Sequence, residues 1–402
     1  MTPAKGPLSG IRVLDLTNVL AGPFAGYQLA LMGADVVKIE VPGSGDLARQ
    51  LGADPALSEQ YLGASFLAQN AGKRSITLDL KQEDGAEIFR SLVRTADVVL
   101  ENFRPGVMDR LGLGWDQLRA LNRRVVYCAL SGFGATGPLR ERPAYDQIVQ
   151  GLSGVMSVTG TPETAPLRVG FPVCDSVGGL AAAFAISSAL VGQQRTGEGC
   201  HLDVSMLDAA LTAMGWVVSD HLAAGVEPMP MGNENRTSAP SGTFDTASGQ
   251  LNIAANKQEQ FAKLCRVLGR EELLADERFR TREDRKARRH ELRAELERTL
   301  QERTAQEWDE LLAPTGVPAA PVLSVRAALR SEQVRHRGLV HELPGPTGQG
   351  ELRVVGSPAW LNGAPVVPTA SPPRLGEHTD EVLGELGLTR EEIEGLRRRG
   401  AV

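Results

Sequence analysis

The sequence predicts an α/β protein, with an open, doubly wound parallel sheet in a large domain and a smaller, mainly helical second domain. Three observations predict it. Strand and helix patterns alternate through roughly the first 150 residues, the composition turns strongly charged and helical after about residue 225, and 402 residues are more than one ordinary core organises.

The alternation begins at IRVLDL (11–16), a short apolar run that reads as a strand. TNVLAGPFAGYQLALMGA follows, with Gly22 and Pro23 opening an apolar helical stretch, and ADVVKIE (34–40) is the next strand. Strand, helix and strand in so short a span form a βαβ unit, which implies parallel pairing and a right-handed crossover. SITLDL, ADVVLENF and VVYCALSGFG continue the strands; DGAEIFRSLVRTA and WDQLRALN continue the helices. Ligands of such sheets lie beyond the carboxyl ends of the strands. The segments to inspect are therefore 17–23, 40–46, 101–110 and 131–138. SVGGLAAAFAISSALVGQQ, from residue 176, is apolar nearly all round and reads as a buried helix. The expected domains are a large one at 1–200 and a small one at 226–330. A linker helix at 201–225, a Pro/Gly-rich linker at 331–373 and two short C-terminal helices at 374–402 complete the chain.

The composition is globular, 42% hydrophobic and 23% charged, and a net charge of -6 without a basic arm argues against a nucleic-acid partner. No uncharged run reads as long enough to span a bilayer, and the amino-terminal residues have no apolar signal core, so no membrane association is expected. Cys128, Cys174, Cys200 and Cys265 are scattered, with no CxxC pair. Four unpaired thiols suit a reducing compartment, and the expected location is the cytoplasm. His201 and His221 stand alone, so no metal site is expected.

One carboxylate stands out. Asp175, in FPVCDSVGGL, lies where a short apolar stretch meets the glycine-containing helix. Free N–H groups and the helix dipole favour a charged carboxylate there. An N-cap aspartate is the commoner use of such a residue. Gly178 and Gly179 shift the balance toward function, because two poor helix formers in a first turn imply close approach of a ligand or a second chain. A carboxylate nucleophile needs no base to deprotonate it near neutrality. Lys73, Arg74, Arg104 and Arg110 lie near strand ends, where cations bind phosphates, although most such residues are merely solvated. Neither GxGxxG nor a P-loop nor a GxSxG elbow is present. The arginine-rich 280–295 region holds nearly as many acids and reads as a surface helix with (i, i+4) ion pairs.

Several long stretches occur in a specific order: LSGIRVLDLTNVLAGPFAGYQLALMGADVVKIEVPGSGD, NAGKRSITLDLK, ADVVLENFRPGVMDRLGL, YCALSGFGATGP, AYDQIVQGLSG, CDSVGG, RTGEGCHLDVSMLDAAL, TGVPAAPVLS and LGEHTDEVL. Together they resemble the family III CoA-transferases, the CaiB/BaiF family, over nearly the whole chain. The resemblance implies a large Rossmann-like domain, a smaller domain, a C-terminal tail returning to the large one, and an interlocked homodimer. It implies coenzyme A or acyl-CoA as substrate and no tightly bound cofactor. Asn102, Phe103, Arg104 and Arg110 match the ENFxPGxxxR segment that contacts CoA, and Lys73 and Arg74 match a CoA-adjacent KRS segment. Asn18 and Leu20 match positions beside the thioester where formyl-CoA:oxalate transferase carries His and Gln. Val41 stands where that enzyme has an arginine near the nucleotide.

The resemblance makes Asp175 the nucleophile, passing through a mixed anhydride and an aspartyl-CoA thioester. Racemases of 2-methylacyl-CoA belong to the same family and use a histidine where this chain has Tyr145. An imidazole takes a proton near neutrality and a phenol does not, so transfer is preferred and Tyr145 is expected to line the acyl pocket. The MGNENRTSAPSGTF loop lacks the GGGG run of the oxalate enzymes, which sets oxalate aside. Arg168 or Arg236 would then pair with the distal carboxylate of a dicarboxylic acid, with succinyl-CoA as donor. Both arginines could equally be ordinary surface residues. A non-catalytic CoA-binding protein is the remaining reading, and an intact Asp175 argues against it.

Overall fold

Alternation along the strands sorts the main core into two faces. In the computed structural model, which describes residues 6–345 and 350–402, six parallel strands run β1 (Arg12–Asp15), β2 (Asp35–Glu40), β3 (Arg74–Thr77), β4 (Val98–Glu101), β5 (Val126–Ser131) and β6 (His201–Ser205). Their order in the sheet is β3-β2-β1-β4-β5-β6. Adjacent residues point to opposite faces. Leu14, Val37, Val99 and Tyr127 thus join one cluster, and Val13, Val36, Val98 and Val126 join the other. Burial on both faces explains why the strands read as near-continuous apolar runs.

Helices cover both faces. α1 (Ala21–Leu31) tolerates Pro23 because the first helical turn has no partner for that N–H. α2 (Glu83–Val93) is amphipathic, with Glu83 and Asp84 favoured at its positive end and Phe89, Leu92 and Val93 buried. α3 (Val107–Arg110) and α4 (Trp115–Leu121) follow β4, α5 (Asp146–Leu152) follows β5, and α6 (Val173–Thr196) and α7 (Met206–Ala213) flank β6. α1, α6 and α7 lie on one face; α2, Met108, Leu118 and the C-terminal helices α8 (Thr379–Glu385) and α9 (Arg390–Arg399) lie on the other. The chain before α8 is tied to β3, where His378 donates its N–H to the Ser75 carbonyl at 2.8 Å.

The chain divides into two units, and the division differs from the expected boundaries in three places. Residues 156–167, expected in the large domain, belong with 227–331 in the second unit. The expected linker helix at 201–225 begins with β6, because HLDVS pairs with β5 from Tyr127↔His201 to Ser131↔Ser205. The expected linker at 331–373 lies almost wholly in the first unit and forms the antiparallel hairpin Val340–Pro344 with Glu351–Val355. The second unit has a three-stranded antiparallel sheet (Ser241–Asp245, Gln250–Ala254, Ala319–Pro321) around a core of Phe244, Phe261, Leu264, Leu296 and Trp308. Its charged helices follow the surface expectation only on their outer sides. Leu292, Leu296 and Leu300 are buried; Arg293–Glu297 (3.0 Å, i and i+4) and Lys286–Glu283 (2.7 Å) pair across successive turns, while Arg270–Glu295 (2.9 Å) joins separate segments.

α6 also departs from the sequence reading. It is long and apolar enough, by length and composition, to cross a membrane, against the expectation that no run is. Gly178, Gly179, Ala182, Ala183, Ile186 and Leu190 pack into the core, but Leu180, Phe184 and Val191 are 49, 76 and 60% exposed. A helix apolar all round is therefore buried along one face only within a single chain.

Candidate active site

Asp175 is the third residue of α6, and the cap of that helix comes from elsewhere. The Asp146 carboxylate, at the start of α5, accepts the Cys174 N–H at 2.8 Å and the Asp175 N–H at 3.4 Å. Asp146 is buried, and its other oxygen accepts from the Gln150 amide at 2.6 Å, with the Arg168 guanidinium 4.0 Å away. Gln150 in turn accepts the Val169 N–H at 2.9 Å. Asp175 is thus not its own helix cap, and the expected preference for its charged form is reversed. Burial, and then the Asp146 charge, push its carboxyl up to about 7.

The two glycines that follow have a simpler cause than a ligand. A Cβ on Gly179 would lie 2.5 Å from the Ala21 carbonyl oxygen, and one on Gly178 would lie 3.0 Å from Met206. The chain that approaches is this chain's own α1 and α7, whose close crossing fixes the start of α6 against the sheet.

The second locus is the point where the strand order reverses, between β1 and β4. Asn18 donates its N–H to the Asn102 side-chain oxygen at 2.8 Å, and the Asn102 amide donates back to the Asn18 carbonyl at 2.9 Å. Leu20 precedes α1 there. Next to it a cleft of about 360 Å³ opens, lined by Phe103, Arg110, Trp115, Tyr127, His201 and Asp203 among others. Trp115 stacks on His201 with centroids 5.8 Å apart. Glu101 forms part of its floor, accepting from the Phe103 N–H at 2.7 Å and the Tyr127 hydroxyl at 3.1 Å, and burial pushes its carboxyl up to about 7.

The four cations separate into two kinds. Arg104 and Arg110 are exposed and make no ion pair among the described residues. Lys73 is buried and committed, 2.8 Å from Asp15 and donating to the Pro23 carbonyl at 2.8 Å. Arg74 is held by Asp35, Glu381 and Glu385 at 2.6, 2.9 and 2.6 Å. Lys73 and Arg74 thus act within the fold here, because carboxylates already occupy the donors a phosphate would need. Tyr145 is 66% exposed at the start of α5, and Arg168 is half-exposed beside Asp146. Arg236 lies in the second unit, half-buried, with its guanidinium donating to the Glu227 carbonyl at 3.5 Å. Sequence reasoning singled out neither Asp146, Glu101 nor Tyr127. Asp146 adjoins Tyr145 and Glu101 ends a strand, and those positions were the available signals.

The reversed strand order with a cleft beside it places the chain in the doubly wound α/β class. Within that class it belongs to the CoA-transferase family III, whose profile matches residues 8–379, and it is accordingly a CoA-transferring enzyme. The succinate–glutarate CoA-transferase of Agrobacterium fabrum is 39% identical over 385 residues, covering 95% of this chain and 96% of that one. The acetyl-CoA:oxalate CoA-transferase of Acetobacter aceti is 41% identical, covering 90% of this chain and 91% of that one. The crystal structure of a CaiB/BaiF family protein from Brucella suis superposes with a TM-score of 0.83 at 36% identity, covering 95% of this chain and 100% of that one.

Proposed function

We propose that this chain moves CoA from an acyl-CoA, with succinyl-CoA the favoured donor, to a small dicarboxylic acid, and that Asp175 carries the transfer. The observation that carries the reading is a carboxylate set in the first turn of α6 and made more basic by burial. A more basic carboxylate is a better nucleophile once ionised.

The steps balance without ATP. The ionised Asp175 attacks the thioester carbonyl, and CoA leaves as a thiolate, giving a mixed anhydride. The thiolate attacks the aspartyl carbonyl and expels the donor's free acid, leaving an aspartyl-CoA thioester. The acceptor carboxylate attacks that thioester, releasing the thiolate and forming a second anhydride. The thiolate then attacks the acceptor's carbonyl and frees Asp175. One thioester is consumed and one is made.

For CoA itself, Asn18, Leu20, Asn102 and Phe103 with the uncommitted Arg104 and Arg110 form the proposed surface. Tyr145 is proposed to line the acyl pocket, and Arg168 or Arg236 to pair with the distal carboxylate of a dicarboxylic acid. The relatives named above act on succinate, glutarate or oxalate, all dicarboxylates, which supports an acceptor of that class. The Acetobacter relative returns oxalate to the acceptors worth testing. A second copy of the chain is proposed to cover Leu180, Phe184 and Val191, which share one face of α6. A cytoplasmic location fits the four unpaired cysteines.

The test is a transfer screen with succinyl-CoA and a panel of mono- and dicarboxylic acids, read by mass spectrometry with hydroxylamine trapping at Asp175. New acyl-CoA together with a trapped Asp175 adduct supports the reading. Full turnover by Asp175→Ala, or α-deuterium exchange with no transfer, removes it.

A further inference from the structure

Resting on the transferase reading, we propose that Lys38 and Asp46 are positioning residues that hold the Asn18 turn in the shape the thioester meets. Four backbone polar groups surround Asn18, and a side chain takes each one. The Lys38 ammonium donates to the Thr17 carbonyl at 2.7 Å, and Asp46 accepts the Val19 N–H at 2.9 Å. Asn102 takes the N–H and the carbonyl of Asn18 itself. Lys38 and Asp46 also pair with each other at 2.9 Å, and both side chains are fully buried.

Two facts make this more than turn chemistry. Val19 has a φ of 68°, in the left-handed region where a β-branched residue rarely sits unless its surroundings force it there. A buried ion pair is also a weak device for stability alone, since an apolar pair of similar size often does as well. What the charges supply that apolar groups cannot is one donor and one acceptor, placed on the peptides immediately before and after Asn18. The Asn18 carboxamide makes no hydrogen bond among the described residues. A clamped backbone with a free side chain, beyond the strand end where the sheet order reverses, is a preorganised contact.

The test uses the full-length protein, succinyl-CoA and single-turnover formation of the Asp175 adduct. The variants are Asp46→Asn, the apolar pair Lys38→Met with Asp46→Leu, and that pair combined with Val19→Gly. Glycine adopts positive φ without a steric cost. The expected result is adduct formation slowed about tenfold to a hundredfold, with KM for acyl-CoA little changed and several-fold recovery on adding Val19→Gly. Thermal unfolding runs alongside. Should Asp46→Asn not fold because Lys38 is left uncompensated, the apolar pair decides. An apolar pair that folds and reacts at the wild-type rate overturns the proposal. So does a loss that Val19→Gly does not relieve, or failure of both variants to fold. Wild type forming no adduct is a different failure, which removes the transferase reading and the positioning role with it.

Discussion

Asp146 and Asp175 share one helix end: the carboxylate of the first accepts the backbone N–H of the second at 3.4 Å and that of its neighbour Cys174 at 2.8 Å. One acid therefore anchors the backbone that carries the other while opposing its ionisation. Burial and that neighbouring charge raise the Asp175 carboxyl to about 7.

The first prediction concerns pH. With Asp175 pushed up to about 7, kcat/KM for the acyl-CoA donor rises with pH through an apparent pKa near 7 rather than near 4. Asp146→Asn removes the smaller of the two causes, the neighbouring charge. Its profile shifts to lower pH while remaining above an ordinary aspartate, since burial persists. Profiles from pH 4.5 to 9 for both proteins check this, and superimposable curves would count against it.

Stability follows from the same group with a definite sign. A folded-state pKa above the unfolded value means that the folded protein holds a proton more tightly between pH 3.8 and about 7. Above that window the ionised carboxylate sits in a site that disfavours it, at a cost of about 4 kcal/mol at most. Asp175→Asn is therefore expected to abolish transfer yet raise Tm at pH 8, with the difference fading by pH 4. Thermal unfolding at the two pH values measures it; a lower Tm at pH 8 would refute the burial argument.

The contrast between what the residues announced and what they concealed has a physical basis. β2 and β4 were legible because VV and VVL place apolar residues on both faces, and α2 because its apolar residues keep one stripe. Lys38, in the middle of ADVVKIE, gave no hint of its role, because its partner Asp46 reaches it only after the chain turns. Asp146 caps a helix 28 residues further on, and no local pattern encodes a contact of that range. Arg74 looked like a free cation because Glu381 and Glu385 lie some 300 residues away. α6 misled in the other direction: Phe184 is as apolar as Ile186, and only the packing shows that one is exposed and the other buried.

The crossing of α1 with α6 is a third point of test. A methyl group on Gly179 meets the Ala21 carbonyl at 2.5 Å, so Gly179→Ala must push the helices apart. The expected loss is about 1–3 kcal/mol, and activity should fall with it because Asp175 lies one turn upstream. Gly192→Ala, in the same helix with no atom within 4 Å of the added carbon, is the control. It should stabilise by up to about 1 kcal/mol through helix propensity. Equal behaviour of the two variants in urea unfolding would show that the close crossing does not matter.

The arginines supply the last prediction, because two kinds of cation lie near the strand ends. Arg110 lines the cleft beside β4 with no carboxylate committed to it among the described residues, whereas Arg74 bridges three acids from β2 and α8. Loss of one charge-assisted contact to a phosphate costs roughly tenfold in affinity or more. Arg110→Ala is therefore expected to raise KM for acyl-CoA about tenfold, with kcat nearly unchanged and a weaker dependence on salt. Arg74→Ala should leave KM unaltered and lower stability by about 1 kcal/mol, since its network is partly solvated. Steady-state kinetics at two ionic strengths, paired with thermal unfolding, separate the roles. If Arg74→Ala weakened CoA binding while Arg110→Ala did not, the assignment of the phosphate-facing surface to the β4 side would be reversed.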